Sequence, residues 1–103
     1  MKHILKFPLA QTHQQTIDLP ADAQIVACQP QHGDVTLWAI CDPIQPRCRR
    51  TVTCVSTGQT IPDDAGQYVG TCLFHDGRTV VHAFLGGDHA QAYPRTAYFG
   101  AGR

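Results

Sequence analysis

The chain has 103 residues, with eight Lys and Arg balanced by eight Asp and no Glu at all. That length supports one domain with one core. The charge balance provides no long-range field toward nucleic acid or an anionic membrane, so specific DNA binding and membrane association are not expected.

The missing Glu and the scarcity of Lys and Met remove good helix formers, while Thr, Val, Gly and Pro favour strands and turns. Residues 3–9 alternate and run into Pro8, which suits a first or edge strand. Residues 14–19 give a short second strand that ends at Leu19-Pro20. Alternation resumes over residues 24–31, His32-Gly33-Asp34 offers a tight turn, and residues 35–41 form the return strand, with Trp38 beside Ile40. The run from Asp42 to Pro46 breaks the pairing, and residues 49–56 read as a further strand. Residues 57–67, with Gly58, Pro62, Asp63, Asp64 and Gly66, are the longest internal loop.

The strongest local signal follows. Residues 68–75 and 78–85 are apolar runs separated by Asp76-Gly77, the residues that a two-residue type I′ hairpin turn demands. Counting outward from that turn sets His75 opposite Arg78, Leu73 opposite Val80, Thr71 opposite His82 and Val69 opposite Phe84, all on one face. The other face carries Tyr68, Cys72, Phe74, Val81, Ala83 and Leu85, so the hairpin is apolar on both sides and is expected at the centre of the fold. Residues 86–103 lack a clear period and read as an irregular C-terminal tail attached to a β-domain over residues 1–85. The expected architecture is all-β, a small antiparallel sandwich or barrel of six or seven strands.

The five cysteines are odd in number. The opening residues are too short an apolar stretch for a secretory signal, and no segment approaches the roughly 20 apolar residues of a membrane span. A cytoplasmic protein with reduced thiols is therefore expected. Cys41, Cys48 and Cys54 lack the close pair that opens most structural zinc sites. His75 and His82 share a face but lie roughly 13 Å apart along the ladder. Neither set implies a resident metal, and no motif implies another cofactor. Cys72 points away from His82, which argues against a nucleophile–base pair there. No P-loop, G-x-G-x-x-G, G-x-S-x-G or H-E-x-x-H pattern occurs, so no catalytic residue is assigned.

Two constellations stand out as binding elements. His82 beside Thr71 places an imidazole in an apolar strand, where its nitrogens need partners. A histidine satisfied by Thr71 or a carbonyl is the plain reading, and a ligand contact the sharper one. Arg47, Arg49 and Arg50 form the dense positive patch: on an extended backbone Arg47 and Arg49 point one way and Arg50 the other. Such a patch commonly protects a strand edge. Two parallel guanidiniums also suit a phosphate or carboxylate, and with Trp38 or Tyr68 as a stacking surface the set suits a nucleotide-like ligand.

Lys6-Phe7-Pro8-Leu9, Ile17-Asp18-Leu19-Pro20, Leu37-Trp38-Ala39-Ile40-Cys41-Asp42-Pro43, Thr57-Gly58, Ile61-Pro62, Tyr68-Val69-Gly70-Thr71 and Val81-His82-Ala83-Phe84 occur in an order that resembles a family of small uncharacterised proteins common in phages and prophages. The resemblance covers residues 2–85. It implies a small β-fold and a viral accessory gene, and it transfers no catalytic residue; this chain departs from it in its many cysteines and its extension after Phe84. The functional expectation is a non-enzymatic binding protein that interferes with a host process, foremost antiviral defence. It would act by covering a host protein or sequestering a small nucleotide-like signal. The alternatives are a minor virion or assembly component and a small Cys/His enzyme or metal-binding domain. Open sheet edges make a homo-oligomer a further expectation.

Overall fold

The computed structural model describes residues 1–87. Alternating side chains build seven strands: β1 (His3–Pro8), β2 (Gln14–Pro20), β3 (Gln24–Gln31), β4 (Asp34–Cys41), β5 (Arg47–Ser56), β6 (Gln67–Phe74) and β7 (Thr79–Leu85). They pair into a three-stranded sheet of order β1-β4-β3 and a four-stranded sheet of order β2-β5-β7-β6. Every strand pairing among the described residues is antiparallel. This is the all-β sandwich that alternation predicts, with no helix among the described residues. The predicted tail lies outside them beyond Gly87, and its first residue is pinned: Gly86 N–H donates to Thr51 O at 2.6 Å.

The core is shared by the two sheets, with Leu37 and Cys28 from one and Leu19, Val52, Cys72, Ala83 and Leu85 from the other. Fully burying a Leu or Val side chain stabilises by about 1.5–3 kcal/mol, so these residues are the main favourable term. The largest contact between the sheets runs from β3 to β6, the edge strands that close one side of the sandwich.

The predicted hairpin of residues 24–41 is present. Gln31 pairs with Asp34, and His32 and Gly33 between them have φ of 53° and 82°, the type I′ pattern. β5 begins at Arg47, two residues before the expected start, because Arg47 pairs with Pro20 of β2.

The β6–β7 hairpin needs three corrections. Pairing ends at Phe74 and Thr79, and residues 75–78 form a wider turn in which His75, Asp76 and Gly77 all have positive φ. The expected pair His75–Arg78 is thus part of the turn. Leu73–Val80 and Thr71–His82 pair as counted, but the register shifts between Tyr68 and Gly70, so Tyr68 rather than Val69 faces Phe84. The bulge turns Tyr68 onto the face of Thr71 and His82, and Val69 packs toward the core. Lastly, β7 is interior but β6 is an edge strand, so the hairpin is central on one side only.

Candidate functional site

Outward-facing positions of the four-stranded sheet gather three of the seven predicted site residues. His82 is held at both ring nitrogens: Nδ1 is 2.9 Å from Thr71 Oγ1 and Nε2 is 2.8 Å from Thr57 Oγ1. Tyr68 Oη lies 2.5 Å from the same Thr71 hydroxyl, and the Tyr68 ring meets Phe84 edge-on at 5.7 Å between centroids. A polar chain of Tyr68, Thr71, His82 and Thr57 therefore runs across a face otherwise made of Phe84, Leu73, Val80 and Val55. Tyr68 is 55% exposed and Leu73 59%. The bond predicted between His82 and Thr71 is present. Thr57 was missed because it lies in the loop after β5, and nothing in the spacing ties that loop to β7. Tyr68 was placed on the wrong face because a bulge leaves no mark in an alternating pattern.

The arginines lie elsewhere. Arg47 Nη1 donates to Asp18 O at 3.4 Å, and Arg49 Nε is 3.8 Å from the Asp18 carboxylate. The two point the same way, as predicted, but both lean on Asp18 of the neighbouring strand. Arg50 points the other way and donates to Gly86 O at 3.0 Å, tying β5 to the segment after β7. Trp38 lies on the outward face of the other sheet, opposite Lys6 and Ala27 and next to the buried Leu37. The sandwich thus separates Trp38 from Arg47 and Arg49, so a stacking-plus-phosphate site does not assemble from these three, whereas Tyr68, the other expected stacking surface, stands on the same four-stranded sheet as the arginines.

A concavity at one end of the sandwich was not legible in the sequence. Where the β1–β2 loop, the β3–β4 turn and the β6–β7 turn converge, a cleft of about 400 Å³ opens over Val35, Cys54, Phe74 and Val81. Its rim includes His13, Ser56, Gln59 and His75, and among the described residues no Lys, Arg or Asp lines it. His13 Nδ1 lies 2.9 Å from Cys54 O, so this ring nitrogen donates to the carbonyl rather than accepting from the thiol. Burial raises the Cys54 thiol, with the nearby Cys72 adding to the shift. The Cys54 sulfur is therefore protonated at neutral pH and is not paired with a base through this bond. Arg49 lies near the start of β5 and Cys54 near its end, roughly 17 Å further along the strand, so the arginines do not reach the cleft.

Among the described residues, no group of three or more His, Cys or Asp is placed to hold a metal ion. Nor does any helix there have the length and apolarity to cross a membrane. No curated protein and no solved structure gives a significant match to the chain. A family profile does match, over residues 1–93, and the chain accordingly belongs to the family described as Domain of unknown function (DUF7352).

Proposed function

We propose that this protein is a small non-enzymatic binding module of the phage or prophage type, which interferes with a host process, foremost antiviral defence, by stoichiometric attachment to a host protein. The outward face of the four-stranded sheet carries this reading. Tyr68, Leu73, Phe84 and Val80 give it aromatic and aliphatic area around a satisfied polar centre at His82. Such faces suit protein contact: a rigid Tyr contributes large area at low entropic cost, and hydrogen-bonded polar groups set register without leaving buried donors unpaired. The same face is also the one through which a homo-oligomer would form, in a host cytoplasm where the resting state of the thiols is reduced.

The test is infection of a defended bacterial strain that expresses the chain. Expression should restore infection, and Leu73→Asp combined with Tyr68→Ala should abolish the rescue while Trp38→Ala, on the opposite sheet, leaves it intact. Unchanged rescue by the double variant would remove the proposed face. The cleft favours a second reading, sequestration of a small molecule, because its volume lies within the roughly 300–1,000 Å³ of ligand pockets. Its lining, without Lys, Arg or Asp among the described residues, suits a neutral ligand better than a nucleotide phosphate. A native mass spectrum of protein purified from its bacterial host distinguishes these readings: retained small-molecule mass supports the cleft, and a bare monomer or oligomer the protein-binding face.

A further inference from the structure

Two of the five thiols meet across the sandwich. Cys28 of β3 and Cys72 of β6 belong to different sheets, and their sulfurs lie 3.7 Å apart in the buried core. The backbones are close here for an independent reason. A Cβ added at Gly70 would stand 2.4 Å from Cys28 Cβ, so β6 approaches β3 at a place where only glycine fits. A disulfide needs sulfurs about 2.05 Å apart and side chains directed at each other from neighbouring backbones. The sulfurs already face each other at 3.7 Å from closely packed strands, and bond formation requires them to close the remaining gap. Among the described residues both cysteines lie on edge strands, each paired on one side only, so local separation of that edge admits a small oxidant.

We propose that Cys28 and Cys72 are an oxidative modification site, at which hydrogen peroxide joins the two sheets through a reversible intramolecular disulfide. The chemistry balances without a cofactor. Peroxide converts one thiol to a sulfenic acid and releases one water. The second sulfur then attacks the sulfenic sulfur, the S–S bond forms, and the hydroxyl leaves with the second thiol's proton as another water. Two electrons pass from the thiols to the peroxide. Burial holds the Cys28 thiol high, up to about 12, so few thiolates are present at neutral pH and the reaction is slow and favoured by opening of the edge. Once formed, the bond engages the β6 residue that follows Thr71, one position along the ladder from the Thr71–His82 pair.

The test uses the full native chain treated with hydrogen peroxide, followed by thiol blocking and intact mass measurement without reductant. The expected product is a monomer lighter by two hydrogens before blocking, with three blocked thiols in place of five. Cleavage before aspartates places Cys28, Cys41 and Cys72 on separate peptides, since Asp34, Asp42, Asp63 and Asp64 fall between them. A linked pair of the Cys28 and Cys72 peptides, released by dithiothreitol, supports the assignment. So does loss of the two-hydrogen change in both Cys28→Ser and Cys72→Ser. Five blocked thiols after treatment, a bond that involves Cys41, Cys48, Cys54 or a second chain, or a bond formed only in urea would overturn it. The wild-type peptide map decides the matter even where a serine variant fails to fold.

Discussion

At Gly70 the absence of a side chain lets two sheets touch, because any Cβ would collide with that of Cys28 at 2.4 Å. Gly70→Ala is expected to destabilise the protein by about 1–3 kcal/mol, read from the urea midpoint, through overpacking of the β3–β6 contact. Cys28→Ala should not relieve that cost, since alanine keeps the colliding atom. Cys28 itself links stability to pH. Burial, followed by its neighbour Cys72, raises its thiol from 9.0 to about 12 in the fold. A raised acid favours the fold below its unfolded value, so this contribution is complete under pH 9 and is lost as pH climbs from 9 toward 12. Cys54 and Cys72, also raised by burial, act in the same direction. Urea midpoints measured from pH 8 to 10.5 should therefore fall, and Cys28→Ala should make the fall shallower. An identical slope in that variant would mean that Cys28 is not the group responsible.

The hairpin of β6 and β7 depends on one polar chain within an apolar surface. Thr71→Val keeps the shape but leaves His82 Nδ1 without its hydroxyl partner, at an expected cost of about 1 kcal/mol. Thr57→Val should cost less, because its exposed position lets water replace the hydroxyl. Equal costs would show that burial does not separate the two bonds. At the end of the sandwich opposite the cleft, Asp22 ties the β2–β3 turn to two other elements. It accepts from Lys2 Nζ at 2.9 Å and from the Asp42 N–H at 3.1 Å. These bonds, the Lys2 contact foremost, hold its carboxyl below 3.8. The stability they contribute is present above the unfolded value and is lost as pH falls through the folded one. Acid titration of Asp22→Asn, followed by circular dichroism, should show a shallower loss below pH 4 than wild type. Since the groups are exposed, the difference should be modest.

Across the whole molecule, the pairings that close the sheets join distant segments: β1 finds β4, and β2 finds β5. Such pairings require loop closure before contact is rewarded, so refolding from urea is expected on the order of milliseconds to seconds. A relaxation in microseconds would contradict this topology. The sandwich also gives the molecule two outward faces with different chemistry. One carries Trp38, Ile40 and Lys6, and the other Tyr68, His82 and Phe84, with the end cleft between the sheets. Binding through one face leaves the other free, which is why a Trp38 variant serves as a control for the Tyr68–Leu73 face.

Local chemistry in the sequence was sufficient for the strands, for the His32-Gly33 turn, and for the pairing of Thr71 with His82. Each depends on alternation or on φ preference within a few residues, and those act before any tertiary contact forms. Three things depended on the folded chain. The bulge at Val69 redirected Tyr68, because the twist of an edge strand packed on β3 accommodates an extra residue that alternation does not reveal. Packing of one sheet against the other sent Trp38 to one side and Arg47 and Arg49 to the other, although they are near in sequence, because consecutive strands were assigned to different layers. The meeting of Cys28 with Cys72, 44 residues apart, and the opening of the cleft between separate segments depend on proximity that is created only when the two apolar faces exclude water between them.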